Sequence, residues 1–124
     1  MSARRAPLAT ASTEIAADAD AVAAALRERL RRRTVGEGAP RLEADDGRRV
    51  YALEGGWWYR GEYTVTPIAP CRARVELRVF NVARTARWGV ALANRGFVGF
   101  ADRTRADFAA LLADVAADLG VRAG

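Results

Sequence analysis

The chain contains no lysine and no histidine, and only one cysteine and one methionine among its 124 residues. Without histidine it lacks the side chain that titrates nearest neutral pH, the usual general acid–base group. The commonest metal ligand and every Ser-His-Asp or Cys-His arrangement are missing with it, which counts against most hydrolytic enzymes. The single Cys71 excludes an internal disulfide and an all-cysteine metal site, and it fits a reducing cytoplasm. No apolar run approaches the roughly 18 residues that mark a membrane-spanning helix, so no transmembrane segment is expected. Arg4 and Arg5 are followed by no apolar stretch, so residues 1–7 read as a flexible N-terminus rather than a signal peptide. No metal and no cofactor is expected.

What is present describes an ordinary globular chain. Hydrophobic residues make up 51% and charged residues 28%, too apolar for disorder and enough for one core. All 20 basic residues are arginine, and the formal net charge is +5. An Arg- and Ala-rich chain without lysine points to GC-rich coding as much as to chemistry. The charge is therefore not taken as a sign of nucleic-acid binding.

The chain is organised around Gly55 to Val82, GGWWYRGEYTVTPIAPCRARVELRVFNV, which reads as two long β-strands. Before it, Leu8 to Ile15 is a Thr/Ser-rich extended edge strand. Asp18 is placed to cap a helix running to about Arg32, with Asp20 favourable in its first turn. Val22, Leu26 and Leu30 give that helix one narrow buried stripe. Arg27, Arg29, Arg31, Arg32 and Arg33 crowd its C-terminal half. They complement the helix dipole as a solvated end, a reading preferred over a nucleic-acid contact. Thr34 to Pro40, with Gly36, Gly38 and Pro40, closes the helix and turns the chain.

Turn signals at Asp45-Asp46-Gly47, Gly55-Gly56 and Pro67 to Pro70 then separate four strand-like runs in a meander. A two-residue Gly55-Gly56 loop predicts Glu54 opposite Trp57, Tyr51 opposite Arg60, Leu53 opposite Trp58 and Arg49 opposite Glu62. The core face then takes Val50, Ala52, Tyr59, Gly61, Tyr63 and Val65. Gly61, bare on that face, permits a bend or leaves room for a ligand. In the next strand Ala73, Val75, Leu77 and Val79 alternate with Arg72, Arg74, Glu76 and Arg78, the pattern of a sheet with one packed and one wet face. Pairing Arg60 with Glu76 and Glu62 with Arg74 predicts a tight connection at residues 67–69. For the first hairpin a three-residue bulged turn keeps Leu42 off the wet face.

Arg84 to Phe100 admits a helical turn, a further strand or a packed loop. Beyond it Thr104 and Asp107 have capping-box spacing, and Phe108, Leu111, Leu112, Val115 and Leu119 follow at helical intervals to Gly120. Asp114 and Asp118 fall on the opposite, solvated face. Residues 121–124 form a tail.

The order of strand, helix, antiparallel meander and long terminal helix, led by ASTEIAADADAVAAAL and closed by DFAALLADVAADLG, resembles the START-like superfamily. That group, also called SRPBCC, includes polyketide cyclases and lipid-transfer domains. The resemblance implies an α+β helix-grip fold, a β-meander wrapped around the C-terminal helix, as a single domain over residues 8–120. It also implies a hydrophobic cavity between sheet and helix. The chain is shorter than most members, shows five clear strands, and has the second small helix missing or shrunk into Thr34 to Pro40.

Three functional readings follow. The first is a binding module for a small hydrophobic molecule, walled by Tyr59, Tyr63, Val65, Val75, Leu77 and Val79 against Phe108, Leu112 and Val115. Asn81 and the tyrosine hydroxyls would be its polar anchors. The same residues would equally fill a core. The second is a polyketide cyclase or dehydratase, with Tyr59, Tyr63, Asn81 and Glu54 as inward polar groups. The third is a homodimer or partner contact through Leu53, Trp58, Phe80 and Val82 on the outer sheet face. A weaker fourth is membrane-surface attachment by Trp88, Phe97 and Phe100 among Arg84, Arg87, Arg95 and Arg103.

Overall fold

The computed structural model describes residues 7–55, 59–81 and 99–123, leaving aside the side chain of Asn81. In chain order the described residues form β1 (Ala9–Ile15), α1 (Ala19–Arg32), β2 (Arg41–Asp45), β3 (Val50–Gly55), β4 (Tyr59–Ala69), β5 (Arg72–Asn81) and α2 (Phe100–Asp118). The strands make one antiparallel sheet in the order β1-β5-β4-β3-β2, so β1 is an edge strand as expected.

Local chemistry accounts for the helices. The Asp18 carboxylate accepts from the backbone N–H groups of Asp20 and Ala21 at 3.1 and 3.2 Å, satisfying two donors that the helix itself leaves open. Val22, Leu26 and Leu30 are fully buried. After the helix, Gly36 and Gly38 take φ of 110° and 74°, a backbone region that side chains resist. At the far end of the chain α2 stops where Gly120 adopts φ 70°, the left-handed residue that closes many helices.

The β5 alternation holds. Ala73, Val75, Leu77 and Val79 are at most 2% exposed, whereas Arg72, Arg74 and Arg78 reach solvent. From the other side Phe108, Leu111, Leu112 and Val115 of α2 join them in one apolar cluster, with the Phe108 ring stacked on Tyr63 at 6.4 Å between centroids. The inner sheet face and the α2 stripe therefore form one core. The two helices are tied at the surface by Arg29, whose guanidinium donates to both Asp118 carboxylate oxygens at 2.7 and 2.6 Å. Asp118 is thus an ion-pair partner and not merely solvated.

Several expected registers are corrected. Tyr51 stands opposite Tyr63 and Leu53 opposite Gly61, because the β3–β4 pairing closes at Gly55 opposite Tyr59. The shift from the expected Tyr51–Arg60 pairing is odd, so it turns every β3 side chain over. Tyr51 and Leu53 enter the core, while Val50 and Ala52 take the outer face. Leu53 therefore offers no partner surface, and Glu54 pairs with Arg60 on the outer side instead of facing inward. Phe80, opposite Arg60, is on the outer face but only 9% exposed. Trp58 and Val82 lie outside the described residues, as does the segment 82–98.

The β4–β5 pair runs on past Pro67 to Ala69 opposite Arg72, with an irregularity between Pro67 and Ala69, so the turn comes at Pro70-Cys71. Glu62 faces Arg78 rather than Arg74. This shift is even, which leaves the inner and outer faces as expected. The β2–β3 loop holds four residues, not three, with Arg49 at φ 56°, and it still keeps Leu42 on the inner side opposite Leu53. Finally, α2 begins a turn earlier than its capping-box signal. Gly99 precedes it with φ 78° and no side-chain cap, and Thr104 lies inside the helix. Phe100 and Ala101 pack against the core, and that packing extends the helix towards its N-terminus.

Candidate functional site

Tyr59 and Tyr63 are four residues apart on β4, so strand alternation puts both on the inner face. Neighbouring β5 supplies Leu77, directly opposite Tyr63. Over them passes the first half of α2, where Phe100, Thr104 and Phe108 recur every four residues on one helix face. These side chains bound a cavity of about 190 Å³. Its rim is charged and exposed: Arg33 from the end of α1, and Arg103 and Asp107 from α2.

Burial pushes both phenols up from the usual tyrosine range, Tyr63 the more strongly. Asp107 pushes in the same direction, and the positive charge of Arg33 pulls the other way at both. At neutral pH the two hydroxyls are protonated and serve as hydrogen-bond donors, not as bases. The cavity thus has an apolar wall, two phenols and a rim of mixed charge.

A larger, more open groove of about 770 Å³ runs between β1 and α2. Thr10, Ser12, Arg78 and Arg105 line it together with Ala109 and Ala113. Leu77 and Phe108 border both spaces and so form the partition between them. The smaller space is the better candidate for an apolar ligand, because aromatic rings enclose it and polar groups converge at one end.

Of the residues expected to wall a site, Tyr59, Tyr63, Leu77 and Phe108 border the cavity. Leu112 borders the open groove. Val65, Val75, Val79 and Val115 are at most 2% exposed and sit in the core cluster. Asn81 ends β5 opposite Tyr59, and its side chain is outside the described residues. Sequence reasoning missed Arg33, Phe100, Arg103, Thr104 and Asp107. The α2 residues carried a signal, since the helical period counted back from Phe108 reaches Thr104 and Phe100. Arg33 had none, because only tertiary packing brings the end of α1 to this rim.

No family model matches the sequence, and neither does any curated protein. Solved structures are similar to it. TTHA0849 from Thermus thermophilus superposes with a TM-score of 0.59 at 16% identity, over 89% of this chain and 97% of that one. A solution structure from Thermobifida fusca gives 0.53 at 17% identity, over 87% and 89%. The chain has a helix-grip fold. The Zhui aromatase/cyclase from Streptomyces sp. R1128 is a more distant likeness, with a TM-score of 0.46 at 18% identity over 87% and 85%. Within the helix-grip frame the cavity lies between the gripping sheet and the gripped helix. Among the described residues no group of acidic or cysteine side chains is placed to hold a metal ion. No described helix is long and apolar enough to cross a membrane.

Proposed function

We propose that this chain is a binding module for a small hydrophobic molecule, held between the sheet and α2 in a single domain over residues 8–120. The observation that carries the reading is the cavity bounded by Tyr59, Tyr63, Leu77, Phe100 and Phe108 and open at a polar rim. Its volume of about 190 Å³ is below the roughly 300 Å³ of typical drug-sized sites. The portion of the ligand it encloses is therefore about the size of one or two rings, or a short acyl chain. A cytoplasmic setting suits the exposed, unpaired Cys71.

A catalytic role is less well supported by these side chains. Both phenols are held in the protonated form, and Glu54, the inward acid expected of a cyclase, faces Arg60 outside. Asp107 is the carboxylate at the rim among the described residues.

Thermal melts with fatty acids, sterols and aromatic polyketides test the binding reading. A ligand at a hundredfold excess over its Kd stabilises by about 2.7 kcal/mol and raises Tm by on the order of 10 °C in a chain of this size. Binding in the cavity should also shift the ring resonances of Tyr59, Tyr63 and Phe108. No change of Tm with any class would overturn the proposal.

A further inference from the structure

Resting on the binding reading above, we propose that the occupant is a monoanionic amphiphile, a small carboxylic acid whose apolar body enters the cavity and whose carboxylate is held by Arg33. The arginines around the end of α1 are mostly occupied. Arg27 pairs with Asp46, Arg29 with Asp118, and Arg31 and Arg32 with Glu28. Arg33, next in the chain, meets no carboxylate at ion-pair distance among the described residues, and it is the one of these five that lines the cavity. Its charge is nevertheless close enough to lower the pKa of both Tyr59 and Tyr63.

The rest of the rim sets the charge of the ligand. Arg103 and Asp107, one helical turn apart on α2, bring one charge of each sign to the rim. Among the described residues Arg33 then gives the rim one surplus positive charge, which one carboxylate balances. Asp107 opposes a second negative charge. Deeper in, the Tyr63 side chain is only 3% exposed and brings a neutral phenol to the cavity wall. A carboxylate between Arg33 and the phenols would accept from a guanidinium and from neutral hydroxyls, the charge-assisted bonds that exceed neutral ones in strength. A neutral ligand of the same shape would use none of that charge.

The test is calorimetry with matched pairs, 4-phenylbutyrate and 1-naphthoate against their primary amides, on the wild type, Arg33→Gln and Arg31→Gln. The acids should bind the wild type at least about tenfold tighter than the amides. That preference should fall below about twofold in Arg33→Gln and persist in Arg31→Gln, because the guanidinium removed there is the one already engaged by Glu28. Acid and amide binding equally to the wild type would overturn the anion proposal and leave the cavity reading standing. A preference that survives in Arg33→Gln would overturn the assignment to Arg33. Binding by no member of the set, with no ring resonance shifted, would remove the cavity reading and this proposal together.

Discussion

A methyl group placed on Gly61 would stand 2.7 Å from the Tyr59 hydroxyl oxygen and 3.2 and 3.3 Å from two atoms of the Tyr59 ring. The two residues are neighbours on the inner face of β4, and the tyrosine lies back along the strand over the glycine. The bare position at 61 is thus filled by its own strand neighbour. Gly61 sets the pose of the ring that borders the candidate cavity.

Gly61→Ala is therefore expected to move Tyr59 more than it unfolds the protein. The contact is with the far end of a side chain that can swing, so the cost should be about 1 kcal/mol, at the low end for overpacking. In a Tyr59→Ala background the same change should become neutral or stabilising, since alanine removes the conformational freedom of glycine. Urea unfolding of the four proteins in the cycle measures this coupling. Equal costs in both backgrounds would show that the ring does not rest on Gly61.

Alkaline titration should report the burial of the phenols. The chain has three tyrosines, and all three are shifted up, with desolvation the largest cause in each. Tyr51, which also donates to the Asp46 carboxylate at 3.1 Å, is pushed to about 12. Each folded pKa exceeds its unfolded value near 10, so the stabilisation is complete below pH 10 and is lost as pH rises through the folded values. Absorbance at 295 nm should show little tyrosinate at pH 10 and a steep rise that coincides with unfolding. A simple titration of all three near pH 10 in folded protein would contradict the burial described.

Asp118→Asn should weaken the acid side of the stability curve. The Arg29 guanidinium holds the Asp118 carboxyl below its ordinary value of 3.8. The resulting stabilisation is present above that value and disappears as pH falls through the lower, folded pKa. Urea midpoints of wild type and variant should differ modestly at pH 7, as expected for an exposed pair, and converge towards pH 2. A difference that grows on acidification would reverse the assignment.

Leu112→Ala and Arg74→Ala separate the two faces. Leu112 has no exposed surface in the core, and its truncation should cost about 2–5 kcal/mol through lost burial and a residual cavity. Arg74 is exposed on the outer face, with a 3.4 Å contact to Glu14. Its loss should stay within about 0.5 kcal/mol. Chemical denaturation with unchanged m-values checks both.

The legible parts of the fold were those where a single period dominates. The stripe of Val22, Leu26 and Leu30, the alternation from Arg72 to Val79 and the repeat from Phe108 to Val115 each admit one buried face. The β3 strand does not. Val50, Tyr51, Ala52 and Leu53 are all apolar, so either parity yields a plausible core, and an assumed two-residue loop selected the wrong one. Between β4 and β5 the charges repeat every second residue. Glu62 finds an arginine at Arg74 and again at Arg78, and nothing local ranks those two registers. At the candidate site, Tyr59, Tyr63, Leu77 and Phe108 followed from strand and helix parity, while Thr104 was hidden by its likeness to a cap.

What the chain determined by itself was which residues become helix or strand and, in most elements, which side of each is apolar. Those properties depend on the backbone period and the side chains strung along it, and need no partner. Tertiary structure decided strand register, the early start of α2 and the meeting of Arg33 with Tyr59, Tyr63 and Asp107. Each of these balances turn geometry, cross-strand pairing and packing among segments far apart in sequence, and those competing energies are settled only when the whole sheet closes on its helix.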